Sequence, residues 1–177
     1  MSYPNLMADL RKTFSKIYDK YIDKIYRFIF LKVSSQEIAQ DLTSETFLRG
    51  WESFKNGTKI ENPQAFLYRI ARNLVTDHYR EKGRTQVVSA EYASIVDPRE
   101  DVEEAAVLRS DINTVRLALV NLSEDYQNVI IWHYLDDLSI QEVAKLLDRT
   151  EEATRVLLSR ALTSLRKKLA EDGPLTD

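Results

Sequence analysis

Apolar residues recur at three- and four-residue spacing in seven stretches of this chain, and no segment shows the strict two-residue alternation of a half-buried strand. That pattern confines the chain to helices. The first stretch, "FSKIYDKYIDKIYRFIFLKV", places Ile17, Tyr21, Ile25, Phe28 and Leu31 on one face. A second helix is predicted from "SSQE", where Ser34 and Glu37 have capping-box spacing, through "IAQDLTSETFLRGWESF". "NGTKIENP" interrupts the period with Gly57 and Pro63; Asn62 is placed to cap, and Pro63 suits the first position of a third helix, "QAFLYRIARNLVTDHYREK", which Gly83 closes. The next segment, "GRTQVVSAEYASIVDPREDVEEAA", has no apolar period and contains Pro98, so it reads as a linker. Four further helices are predicted in "VLRSDINTVRLALVNL", "SEDYQNVIIWHYLDD", "SIQEVAKLL" and "TEEATRVLLSRALTSLRKKLA". The expected class is all-α, with two small helical domains, residues 1–83 and 107–177, joined by an acidic linker at 84–106.

A chain of 177 residues, 44% of them hydrophobic, can bury a core in each of two such domains. The absence of cysteine excludes disulfides and thiolate chemistry and fits a reducing compartment. Apolar runs such as "FIFL" and "VIIW" are too short to span a bilayer, and "MSYPNLMADLRK" lacks the apolar segment of a signal peptide, so the expectation is a cytoplasmic protein without membrane insertion. The net charge of -3 hides an uneven distribution: residues 1–83 hold 14 Lys/Arg against 10 Asp/Glu, and residues 84–111 hold 3 against 7. No metal or cofactor site is expected. His78 and His133 are isolated, the four glycines form no phosphate-cradling loop, and Asp136 with Asp137 reads as a solvated pair at a helix end. Nor is there a clustered set of polar groups to make an α-helical enzyme.

Two helices carry polar faces that call for a ligand. In "LSIQEVAKLLDRTEEATRVLLSRALTSLRKKL", Ser139 and Glu142 form a capping-box spacing, and Ile140, Val143, Ala144 and Leu147 face inward. After a short turn Thr150 caps a longer helix with Leu158, Leu162, Leu165 and Leu169 on one face and Thr154, Arg155, Ser159 and Arg166 on the other. A helix-turn-helix offers its second helix to the DNA major groove in this way, although a plain helical hairpin with a solvated face has the same pattern. The third helix sets Arg69, Arg72, Asn73, Thr76 and Arg80 outward, interleaved with Phe66, Tyr68 and Tyr79, while Leu67, Ile70, Ala71 and Leu74 face inward. Cations hold phosphates and aromatic rings stack on unpaired bases, which suits single-stranded or opened DNA. A solvated face over ordinary core aromatics has that spacing too.

Taken in order, "DLTSETFLRGW", "AFLYRIARNLVTDHYR" and "LSEDYQNVIIWHYLDDLSIQEVAKLL" resemble a bacterial RNA polymerase sigma factor of the extracytoplasmic-function group. The similarity runs from about Phe14 to Leu169, and the ordered set is far more specific than any one motif. It implies a front region-two domain and a back region-four domain. It further implies a non-catalytic protein that binds core RNA polymerase through its beta and beta-prime subunits, recognises two elements of promoter DNA, melts the duplex and answers to an anti-sigma factor.

Carried over by position, the resemblance assigns Asp41, Ser44, Glu45, Leu48 and Arg49 to core-polymerase binding; members often carry glutamine where Ser44 stands. It assigns Lys55, Asn56, Lys59 and Asn62 to a loop that selects a flipped minus-ten base, and Phe66, Arg69, Arg72, Asn73, Thr76 and Arg80 to the helix that holds the non-template strand. Arg149, Thr150, Thr154, Arg155, Ser159, Arg160 and Arg166 fall to minus-thirty-five recognition. Here the chain departs from the common pattern, because Val156 and Leu157 replace polar and basic types and Leu162 replaces another basic one. Fewer cations imply fewer phosphate contacts and a shallower salt dependence. Leu157 is placed to touch a thymine methyl or a protein partner, and simple drift with some loss of affinity accounts for the same departure. A sigma-like regulator that binds duplex DNA without engaging polymerase is the alternative, supported by Ser44 and the thinned recognition helix.

Overall fold

The computed structural model describes residues 3–82 and 113–171, and within them every regular element is helical. In chain order these are α1 (Tyr3–Val33), α2 (Gln36–Lys55), α3 (Pro63–Glu81), α4 (residues 113–120), α5 (Glu124–Ile130) running into a widened turn at Ile131–Leu135, α6 (Ile140–Leu147) and α7 (Glu151–Glu171). The chain divides into two compact units, with the first three helices in one and the rest in the other. The expected linker at 84–106 and its neighbour Gly83 lie outside the described residues. Among the described residues no helix is long and apolar enough to cross a membrane.

In the first unit α1, α2 and α3 pack on one another pairwise around Ile25, Phe28, Ile29, Ala39, Leu67, Tyr68 and Ala71, each at most 1% exposed. The turn between α1 and α2 differs from its reading in the sequence. Ser34 does not cap α2: it takes a left-handed conformation (φ 58°), and its N–H donates to the Phe30 carbonyl oxygen at 2.9 Å, which closes α1. Ser35 is the cap instead, its hydroxyl accepting from the Ile38 N–H. A residue committed to ending one helix has the wrong backbone angles to begin the next. Asn62 caps α3 as expected, accepting from the Ala65 N–H at 3.0 Å, with Pro63 in the first turn.

Two buried threonines on α2 keep the inner face dry. Thr43 and Thr46 donate their hydroxyls to the Ala39 and Leu42 carbonyl oxygens at 2.6 and 2.7 Å, so neither needs a partner across the interface. One turn further on, Gly50 lets three elements meet: a Cβ there would stand 3.1 Å from Leu67 Cδ2 and 3.5 Å from Phe14 Cζ.

The second unit buries Ala118, Leu119, Val129, Ile131, Trp132, Leu138, Val143, Leu158 and Ala161. Helix α5 does not end cleanly. Its last turn widens so that the Asp136 N–H donates to the Ile131 carbonyl five residues back, at 3.1 Å, and the Leu138 N–H donates to Trp132 at 2.9 Å. The His133 ring donates through Nδ1 to the Leu138 carbonyl oxygen at 2.8 Å, and Asp137 takes a left-handed conformation. The extra residue rotates Asp136 inward to 2% exposure, so the pair expected to be solvated splits, with Asp137 alone facing water.

Replacing Gly50 with valine forces branched methyl groups against Leu67 and Phe14, and overpacking of this kind costs ~1–3 kcal/mol. Urea unfolding of the full chain should show that loss. Gly50→Ala should stay within about 1 kcal/mol of wild type, since the better helix propensity of alanine opposes a single tight contact. A neutral Gly50→Val variant would refute the close approach.

Candidate nucleic-acid interface

Three surfaces carry the residues singled out by the sequence. On α2, Asp41, Ser44, Leu48 and Arg49 are exposed, and Glu45 is half-buried with its carboxylate accepting from Arg49 Nε at 2.7 Å. Leu48 is a large apolar side chain left 52% exposed among these polar neighbours. The core face of the same helix lies opposite, at Ala39, Thr43, Thr46, Phe47 and Gly50, so the helix shows water an acidic and apolar strip by virtue of what it buries.

The second surface is α3 with the loop before it. Lys55, Asn56 and Lys59 are exposed, and Lys59 pairs with Glu61 at 3.2 Å. Asn62 spends its carboxamide oxygen on the helix cap. Arg69, Asn73 and Arg80 point to solvent, Arg72 and Thr76 are half-buried, and the Thr76 hydroxyl donates back to the Arg72 carbonyl oxygen at 2.9 Å. The aromatic part of this face needs correction. Tyr68 is fully buried and meets Phe28 of α1 edge-on with ring centroids 5.3 Å apart, because α3 packs on both α1 and α2 and its inward arc is wide enough to include position 68. Tyr79 stays 41% exposed, but its hydroxyl donates to the Lys32 carbonyl oxygen near the end of α1. Burial of that hydroxyl pushes the Tyr79 pKa up. Phe66, half-buried, keeps part of its ring toward solvent.

The third surface is the helical pair α6 and α7. The capping box is complete: Ser139 Oγ accepts from the Glu142 N–H at 3.2 Å, and Glu142 Oε2 accepts from the Ser139 N–H at 2.8 Å. Asp148 ends α6 in a left-handed conformation, and the Arg149 N–H donates to the Ala144 carbonyl oxygen at 2.9 Å. Thr150 caps α7 by accepting from the Ala153 N–H at 3.1 Å. Arg149 and Arg155 reach Asp125 and Glu151 at 2.7 and 3.0 Å, and Arg155, Ser159, Arg160 and Arg166 are exposed. Thr154 does not belong to this set. It shares an inward stripe with Leu158 and Ala161, is fully buried, and donates its hydroxyl to the Thr150 carbonyl oxygen at 2.8 Å. Leu157 is half-buried as well; the apolar residue that faces water is Val156, 50% exposed.

Two family models match in the same order as the two units: Sigma-70 region 2 over residues 17–85 and Sigma-70 region 4 over residues 112–165, together more than half of the chain. The chain belongs to the sigma-70 family, in its extracytoplasmic-function (ECF) group. It is similar to the ECF RNA polymerase sigma factor BldN of Streptomyces coelicolor, 34% identical over 90% of this chain and 61% of the relative. It is also similar to the ECF RNA polymerase sigma factor SigW of Bacillus subtilis, 29% identical over 89% of each chain. Among solved structures, the sigma factor RpoE of Bartonella quintana, crystallised with the anti-sigma factor NepR, has a TM-score of 0.69 at 22% identity over 92% of this chain and 99% of that one, which shows the shared fold.

The sigma factor also carries a feature that the sequence reading missed. Arg11, Phe14, Ser15, Tyr18 and Trp51 line an open groove of about 370 Å³ between α1 and α2, its floor built by the rings of Phe14 and Trp51 5.4 Å apart. Phe14 and Tyr18 lie one turn apart within the first periodic stretch, whereas Arg11 lies before it, in the part of α1 that begins at Tyr3.

At the end of α3, His78 has a pKa lowered first by partial burial and then by the Lys82 ammonium, with Glu81 opposing. The folded state thus favours the neutral ring, so the contribution of His78 is fully present above the ordinary histidine range and is lost as pH falls through the lowered folded-state pKa. Thermal unfolding from pH 7.5 to 5 should show a smaller fall in Tm for His78→Gln than for wild type. Parallel curves would remove His78 from the account.

Proposed function

We propose that this chain serves as a promoter-selecting subunit of bacterial RNA polymerase, acting in the cytoplasm and carrying no catalysis of its own. In this reading residues 1–83 bind core polymerase and open the minus-ten element, residues 84–106 connect, and residues 107–177 recognise the minus-thirty-five element. The observation that carries it is the exposed face of α3: Arg69, Asn73 and Arg80 line solvent on a helix whose opposite face is clamped by two others, within the stretch that matches region 2. A row fixed in this way can follow a displaced strand without first ordering itself.

The exposed strip on α2 is the surface for core polymerase, with Leu48 as its apolar anchor and Asp41, Ser44, Glu45 and Arg49 around it; contacts to the beta-prime and beta subunits follow from the family reading. Promoter DNA is then taken by the loop residues Lys55, Asn56 and Lys59 together with α3, and by Arg149, Arg155, Ser159, Arg160 and Arg166 around α7. Thr150 and Asn62 serve as caps that fix the start of each reading helix. An anti-sigma factor is the expected inhibitor, in line with the complex formed by the Bartonella relative.

The decisive experiment separates binding from melting. Leu48→Ala should weaken association with core polymerase about tenfold, as removal of an anchor in an interface does. Arg72→Ala with Asn73→Ala should leave core association intact while permanganate reactivity of promoter thymines falls at least tenfold. A wild-type chain that binds duplex DNA but neither associates with core polymerase nor makes promoter thymines permanganate-reactive would leave only a duplex-binding regulator.

A further inference from the structure

The exposed face of α7 has an apolar residue at its centre. Glu152, Val156, Ser159 and Thr163 recur at four- and three-residue spacing and form one solvent-facing stripe. Arg155 and Arg166 border it on one side, Arg160 and Lys167 on the other, all four exposed. Val156 is thus half-exposed between two rows of cations, in the N-terminal half of the second helix of a helix-turn-helix. Leu157, the neighbouring leucine, turns part of its side chain toward the core and cannot fill the same place.

The arrangement fits one kind of surface. Cations on both flanks require negative charge at the edges, and an uncharged branched side chain between them requires something apolar at the centre. The major groove of duplex DNA offers both: phosphates along its rims and, on its floor, the C5 methyl group of thymine as the one apolar group that a base edge presents. Valine suits such a contact because its branched side chain holds one rotamer in a helix, so little freedom is lost on binding. Arg155 is already held beside it through Glu151 at 3.0 Å.

We propose that Val156 reads one thymine of the minus-thirty-five element through its C5 methyl, with Arg155 and Arg160 on the flanking phosphates. This rests on the sigma-subunit reading above. The contact adds base selectivity and little salt dependence, since it neutralises no phosphate.

The test uses the chain assembled with bacterial core RNA polymerase. A promoter is first selected from a random upstream library by run-off transcription, and each upstream thymine is then replaced singly with deoxyuridine, which removes only the methyl. Wild type should lose about three- to fourfold in apparent affinity at one thymine. Val156→Ala should lose a similar factor on the unmodified promoter and show no further loss at that deoxyuridine, while circular dichroism stays unchanged. If Val156→Ala responds to every deoxyuridine as wild type does, or no thymine matters to wild type, Val156 touches no methyl and the inference is overturned. Failure of the wild-type assembly to start transcription on any library member would overturn the sigma-subunit reading and this inference with it.

Discussion

Helix α3 is held from two sides, and that double contact determines what the first unit can present. Leu67, Tyr68, Ala71, Leu74 and Val75 are all buried, an arc too wide for packing against one neighbour. With α1 taking Tyr68 on Phe28 and α2 closing on Leu67 at Gly50, the strip from Arg69 through Asn73 to Arg80 is left to solvent. A helix fixed this firmly cannot rotate to bury its cations, so the electrostatic face follows from the packing. The same logic governs α2, where the inward run from Ala39 to Gly50 leaves Asp41, Leu48 and Arg49 outside.

The second unit obtains its rigidity from helix ends. The widened turn at Ile131–Leu135, the capping box at Ser139 and Glu142, and the Thr150 cap each satisfy backbone groups that a short helix would otherwise leave to water. Among the described residues, the three left-handed ones that are not glycine, Ser34, Asp137 and Asp148, all lie where one helix stops and the next is about to start. A chain with four glycines uses serine and aspartate there, types that tolerate the conformation through their short polar side chains.

This explains what could be read from the sequence and what could not. Among the described residues, the seven helices and the inward positions Ile25, Phe28, Leu67, Val143 and Leu158 followed from apolar period, because a stripe of that length has one way to face a core; the first residues expected in the fourth helix, 107–112, lie outside them. Where reading failed, the deciding term was tertiary. Ser34 and Ser35 are indistinguishable as caps until the chain direction between helices is known. Tyr68 and Thr154 look like members of polar faces by spacing, but the width of the buried arc and a local hydroxyl-to-carbonyl bond allow both inside. The widened turn has no sequence signature, so Asp136 could not be told from Asp137. Of the DNA-facing candidates on α7, Arg155, Ser159, Arg160 and Arg166 lie where spacing put them, and exposure moved the apolar position of interest from Leu157 to Val156.

The central claim is that these two units act together to bring a polymerase to defined sites. Run-off transcription of a genomic fragment library by bacterial core RNA polymerase, with and without the purified chain, tests it most directly. The account predicts discrete start sites that depend on the chain and share two upstream sequence elements. Start sites unchanged by adding the chain would contradict it.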